Sequence, residues 1–158
     1  MRAEPRSYRR DRDVPDFDDA APLIIFDGDC ALCSAGVQAM VRLGPDSNAR
    51  FAPIRSRLAA ALYRHYGLDP DRFDTFMVLT KGRPFLRWSG VLAAARTLPP
   101  PWSWLGSAGR LVPDFVGDRL YDFVQRNRIG WFGRARVCVA ADPRLAPRIL
   151  EDAPATAA

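Results

Sequence analysis

Four reactive side chains fall within seven positions: Asp27, Asp29, Cys30 and Cys33, in the stretch LIIFDGDCALCSAG from Leu23 to Gly36. Two chemistries compete for them. An aspartate at the end of an apolar strand can be the nucleophile of phosphoryl transfer, with a second acid two residues on as its proton donor. Two cysteines three positions apart at a helix start can exchange electrons with a disulfide, because residues i and i+3 share a helix face. In that second reading the unpaired N–H groups of the first helical turn favour a thiolate at Cys30, which becomes the attacking nucleophile. Cys33, expected one turn deeper on the buried face, resolves the mixed disulfide. Asp27 or Asp29 is the candidate proton shuttle for Cys33. Ala31 and Leu32 supply no cation between the thiols, and the two acids oppose a thiolate. A dithiol on the reducing side is therefore expected.

The elements that must hold these residues follow from patterning. Leu23 to Asp27 is a continuous apolar run, consistent with a buried central strand. Cys33, Val37, Met40 and Val41 then fall on one face of a helix ending near Gly44-Pro45. Arg50 to Ile54 reads as a second strand. Ser56 caps a helix over Arg57 to Tyr66, with Leu58, Ala61, Leu62 and Tyr66 inward and Gly67 as its C-cap. Phe73 to Thr80 and Arg83 to Trp88 form a hairpin around Lys81-Gly82. Ser89 is expected to cap a helix from Gly90 to Leu98, stopped by three prolines. Two further helical stretches cover Trp102 to Leu111 and Pro113 to Arg128. The order β-α-β-α-β-β-α, with a dithiol at the first strand–helix junction, is the thioredoxin-like arrangement followed by a C-terminal helical extension.

Length and charge narrow the classes. The 158 residues suffice for one domain with a real core. Residues 1–21 read as a charge-mixed disordered tail, 22–140 as the thioredoxin-like domain with its extension, and 141–158 as a C-terminal tail. No apolar run approaches the roughly 18 residues of a membrane span, and the N-terminus lacks the apolar region of an export signal. Three cysteines in such a chain imply reduced or redox-active thiols in the cytoplasm rather than a disulfide framework. The net charge of +5 is carried by arginine, Lys81 being the only lysine, and does not demand an acidic partner. The six arginines from Arg110 to Arg136, interleaved with Tyr121, Trp131 and Phe132, read as a solvated helix face with core aromatics, not a nucleic-acid surface.

Three further readings compete for these residues. A zinc site from Cys30, Cys33, Cys138 and His65 lacks the second closely spaced pair that structural zinc favours, so no metal is expected. LIIFDGD resembles the first motif of haloacid dehalogenase-like phosphatases, with Asp27 as nucleophile and Asp29 as general acid. Thr80, Lys81 and the acids Asp118 and Asp122 would complete that set. However, Lys81 adjoins Thr80 instead of arriving from a separate segment, and Asp114, Asp118 and Asp122 recur at helical spacing. The third reading is a vestigial dithiol in a non-catalytic module whose Arg- and Trp-rich extension docks a partner protein.

IIFDGDCALCSAGV, RFAPIRS, the WSG segment at Trp88 to Gly90 and LVPDFVGDRLYDFVQRNRIGWFGRARVC together resemble the DCC-family thiol-disulfide oxidoreductases, named for Asp-Cys-x-x-Cys. The resemblance spans Leu23 to Cys138. It implies a thioredoxin-like domain with Cys30 and Cys33 as the redox pair and Asp29 as the signature acid. Thioredoxin-like proteins usually place a cis-proline before the third strand. Here Asp74-Thr75 stands there, so Thr75, with Ala31 and Leu32, is expected to line the substrate site. No bound cofactor is expected; the partners are a protein or small-molecule disulfide and a reductase or small-thiol electron donor.

Overall fold

A computed structural model describes residues 8–72, 75–135 and 142–150. Its centre is a four-stranded sheet in the order β2-β1-β3-β4. The strands are β1 (Leu23–Phe26), β2 (Arg50–Pro53), β3 (Met77–Thr80) and β4 (Arg83–Leu86). β1 runs parallel to β2, with Ile24 beside Phe51, and antiparallel to β3, with Ile25 beside Met77. β3 and β4 form the expected hairpin, and both Lys81 (φ 50°) and Gly82 (φ 76°) adopt the positive φ that a tight two-residue turn requires. The thioredoxin-like α/β arrangement anticipated from the element order is the one observed.

All four residues of β1 are buried, because the sheet is covered on both faces. Leu23 and Ile25 point to one face, where they meet Leu58, Leu62 and Tyr63 of α2 (Arg57–His65). Ile24 and Phe26 point to the other, packing with Val37 and Val41 of α1 (Ala31–Leu43) and Ala94 of α3 (Arg87–Ala95). Ser56 caps α2 through its hydroxyl, 3.2 Å from the Ala59 amide, and Gly67 takes φ 72° just beyond it, as expected.

Several boundaries move. β3 begins at Met77, and Phe73 and Asp74 lie outside the described residues. α3 starts at Arg87, so Ser89 is not its cap; the Ser89 hydroxyl instead donates to the Leu86 carbonyl inside the first turn. The extension comprises α4 (Trp102–Ala108), a 3₁₀ turn over Gly109–Leu111, and α5 (Asp114–Phe132). α5 docks on α3 where Gly117 meets Trp88: a Cβ at Gly117 would lie 2.2 Å from the indole, so only glycine permits this approach. Asp118 of α5 also accepts from the Trp88 amide at 3.3 Å. Gly90 likewise leaves room for the Phe85 carbonyl, 2.8 Å from where its Cβ would sit. The WSG segment thus anchors the extension.

The described parts of both flanks, residues 8–21 and 142–150, make contacts with the body of the fold. Tyr8 and Val14 join the core beside α2, Tyr8 stacks on Phe17, and Asp11 holds His65 at 2.7 Å. Leu145 is fully buried, and Leu150 donates its amide to the Phe51 carbonyl at 2.8 Å. The reason is that a few apolar residues among many charges suffice when the outer face of α2 and the free edge of β2 offer partners. The expected core aromatics of α5 are also corrected: Trp131 and Phe132 are more than half exposed, because Gly117, Tyr121 and Arg128 occupy the inward arc. Among the described residues no helix is long and apolar enough to cross a membrane.

Candidate active site

The dithiol sits where β1 ends and α1 begins. Asp27 leaves the strand and folds the loop on itself: its Oδ1 accepts the Asp29 amide at 3.0 Å, an Asx turn. The chain then enters α1 with Cys30 as its N-cap, in extended conformation (φ −94°, ψ 122°). The Cys33 amide donates to the Cys30 sulfur at 3.4 Å, so the sulfur fills the capping role usually taken by a hydroxyl or carboxylate oxygen. One N–H of the first helical turn therefore points at the first thiol, and both cysteines are free.

Residue by residue, the exposure of the two cysteines reverses the sequence expectation. Cys30 is fully buried, whereas Cys33, anticipated as the deeper one, is partly exposed. The cause lies in the C-terminal extension. Gly133, at φ 77°, turns the chain off α5, and Arg134 forms an antiparallel bridge with Cys30. The Ala31 amide donates to the Gly133 carbonyl at 3.3 Å, and the Ala135 amide donates to the Asp29 carbonyl at 2.9 Å. Residues 133–135 thus lie as a strap along the motif, which local patterning at Cys30 had no means of announcing.

Cys33 faces a small cleft of about 30 Å³, lined among others by Asp27, Tyr63, Thr75, Tyr121, Gln125 and Arg128. That is room for about one water molecule. Arg128 Nη1 donates to the Cys33 sulfur at 3.2 Å, while its Nη2 pairs with Asp27 Oδ2 at 3.0 Å. Both partners of that ion pair are 10% exposed. Burial pushes the Cys33 thiol up to about 12, and Cys30 adds to the rise while Arg128 opposes it. Burial works against the charge on Arg128, but Cys33, Cys30 and Asp27 together hold its pKa above the ordinary value. Tyr121, likewise pushed up to about 12 by burial, accepts the Phe76 amide at 2.7 Å, and Tyr63 donates to the Thr75 carbonyl at 2.5 Å. The two tyrosines pin the segment entering β3 against the cleft.

The expected residues separate into two groups. Asp27, Cys33 and Thr75 meet at the cleft. Asp29 points away, 52% exposed, and pairs with Arg55 at 2.5 Å. Ala31 and Leu32 are partly exposed on the first turn of α1. The cis peptide bond among the described residues, Pro100–Pro101, lies in the connection between α3 and α4 and not beside the dithiol. Arg128, Tyr63 and Tyr121 were not anticipated at the site. A signal for Arg128 existed, since Gly117, Tyr121 and Arg128 recur at helical spacing on one face of α5.

The acid reading loses its geometry here. The β1–β3 register sets Leu23 beside Leu79, so Thr80 and Lys81 stand at the opposite end of β1 from Asp27, about 17 Å away at strand rise. Asp118 and Asp122 serve Trp88 and Arg87 instead. Among the described residues no group of three or more His, Cys, Asp or Glu side chains converges as a metal ion needs, and Cys138 lies outside those residues.

Comparison with known proteins agrees with the dithiol. The pattern of the DCC1-like thiol-disulfide oxidoreductases matches residues 24–134. The chain is 32% identical over 128 residues to the uncharacterized protein YuxK of Bacillus subtilis, covering 81% of this chain and 93% of that one. It is 29% identical over 143 residues to a chloroplastic DCC family protein of Arabidopsis thaliana, covering 86% and 83%. No solved structure matches it. The family pattern runs from the buried first strand to the strap over Cys30, and on that evidence the chain belongs to the DCC1-like thiol-disulfide oxidoreductase family.

Proposed function

We propose that the protein catalyses thiol-disulfide exchange through Cys30 and Cys33, acting on the reducing side with Cys30 as nucleophile and Cys33 as resolving thiol. The carrying observation is the Cys30 sulfur at the α1 N-terminus, accepting the Cys33 amide at 3.4 Å. That hydrogen bond strengthens as charge builds on the sulfur, and it fixes the two thiols on the same first turn. Attack by Cys30 on a protein disulfide first requires release of the two strap hydrogen bonds that flank the Cys30–Arg134 bridge.

The reducing direction is supported by the residues between the thiols: Ala31 and Leu32 supply no cation to stabilise a thiolate at Cys30, and such stabilisation is what makes a dithiol couple strongly oxidising. Of the two motif acids, Asp27 lines the cleft at Cys33 and is ion-paired to Arg128, whereas Asp29 pairs with Arg55 away from it. Thr75, expected to line the substrate site, borders the cleft at Cys33. A protein disulfide is the substrate class, a reductase or small thiol in a reducing compartment such as the cytoplasm is the electron source, and no cofactor is invoked.

Reduction of insulin disulfides by the full chain tests the reading. Activity in the wild-type chain that disappears in Cys30→Ser is the expected result; equal turnover by both proteins would sink it. A docking role for the extension is the second reading, favoured by the exposure of Trp104 (68%) and Leu111 (87%). The same assay separates the two, since docking needs no thiol.

A further inference from the structure

Among the described residues Arg128 is the one charged residue in the buried class. Its helix neighbours Arg119 and Arg126 stay exposed. Taking a guanidinium out of water is costly, and a well-packed apolar side chain usually stabilises such a position at least as well. Packing alone therefore does not account for Arg128. Its two terminal nitrogens are divided between a carboxylate and a sulfur: Nη2 on Asp27 at 3.0 Å, Nη1 on Cys33 at 3.2 Å. Asp27 is itself immobilised, because its other oxygen accepts the Asp29 amide. The guanidinium fork is thus oriented at one atom, the sulfur of the second motif cysteine.

We propose that Arg128 is a catalytic residue of the dithiol, donating from Nη1 to the Cys33 sulfur as negative charge develops there, with Asp27 as the positioning residue that aims it. This rests on the exchange reading above and assigns the group that makes the second thiol usable. The groups facing Cys33 are Cys30 from α1, Asp27 from the loop after β1, Tyr63 from α2, and Tyr121 with Arg128 from α5. Of these only Arg128 is a cation. In the resolving step Cys33 gives its proton to water, and its sulfur attacks the Cys30 sulfur of the mixed disulfide. A Cys30–Cys33 bond forms, the bond to the substrate sulfur breaks, and the substrate leaves as a thiolate with that electron pair. The motif pair loses two electrons and the substrate disulfide gains them. Charge passes through the Cys33 sulfur before it reaches the leaving group, which is where a donor fixed at 3.2 Å acts.

The test uses full-length chains carrying Cys138→Ser and an uncharged aromatic disulfide, dithiodipyridine, whose released thione is coloured. Cys30→Ser leaves Cys33 as the reacting thiol; Cys33→Ser leaves Cys30. In the Cys30→Ser chain, Arg128→Met is expected to slow the reaction by about tenfold or more and to move its pH midpoint upward, since one unit of thiol pKa is about tenfold in thiolate. Arg128→Lys, which keeps the charge but not the fork, should recover part of the rate. In the Cys33→Ser chain the same Arg128→Met change should alter the rate by less than about threefold, a much smaller loss than at Cys33. Because Arg128→Met strands the Asp27 carboxylate, the double change with Asp27→Asn is run in parallel and should slow Cys33 to the same extent. Equal slowing of both cysteines, or an unchanged pH midpoint at Cys33, overturns the proposal and leaves Arg128 a structural residue. Failure of the chain with both motif cysteines to close an internal disulfide overturns the exchange reading itself, and the role of Arg128 with it.

Discussion

From Leu23 to His65 the strands and α2 bury most of their apolar side chains: Leu23, Ile24, Ile25, Phe51, Leu62 and Tyr63 are all at most 1% exposed. From Trp102 to Phe132 the pattern inverts. Trp104, Leu105, Leu111, Phe115, Leu120 and Phe123 are each more than half exposed, while Arg128 lies inside. The first region is a two-sided sheet with helices on both faces, so the apolar residues of its strands find partners on either side. The second adds helices to one edge of that body and has only one inward arc to offer, which Gly117 and Tyr121 share with Arg128. The difference teaches that the βαβ half builds the scaffold and carries both sulfurs. The extension contributes little core, and instead supplies the surroundings of the sulfurs: a strap on Cys30 and a guanidinium on Cys33.

Substitutions can break this contrast or sharpen it. The largest effect is expected in the scaffold: Leu62→Ala, at a fully buried position, should cost about 2–5 kcal/mol in a denaturant titration. A loss of under 1 kcal/mol would show that α2 is not packed as described.

An intermediate effect is expected from pH. The folded-state pKa of Cys33 is raised from 9.0 to about 12, so the protonated thiol is the form that folding favours. Its contribution to stability is fully present below pH 9 and is lost as pH rises toward about 12. Tyr66 and Tyr121 titrate in the same direction toward about 12, so the comparison must be made against a chain lacking the thiol. Thermal melts from pH 8 upward should show a steeper fall for the wild-type chain than for Cys33→Ala; parallel curves would mean that the thiol is not buried beside the cleft.

The smallest effect belongs to the extension's outer face. Leu111→Ser, at a residue 87% exposed, should change stability by no more than about 0.5 kcal/mol. A larger loss would reveal that this face is covered in solution.

Much of the scaffold was readable because its signals are local. The apolar run of β1, the Ser56 cap, the Lys81-Gly82 turn and the i, i+4, i+8 spacing of Cys33, Val37 and Val41 each depend on residues within two helical turns of one another. The Cys30–Cys33 pair at the strand–helix junction was readable for the same reason. Where expectation failed, the missing partner lay far along the chain. Tyr8 and Val14 had no visible reason to order until α2 met them, and Ser89 could not cap a helix that the β4 strand feeds directly at Arg87. At the site, the expectation that Cys33 lies deeper than Cys30 followed helix geometry correctly but omitted the strap that arrives from residue 133.

The amino-acid sequence by itself determined the sulfur pair, its seat at the mouth of α1 and the strand that delivers it, since hydrophobic period, capping and spacing are written within a dozen residues. Which cysteine is the more covered, which acid meets the buried cation and which arginine enters the core were decided only in three dimensions. Arg128 and Cys33 are 95 positions apart, and contact across that distance exists only once Gly117 has let α5 close on Trp88 and the helix has carried its guanidinium over the first turn of α1.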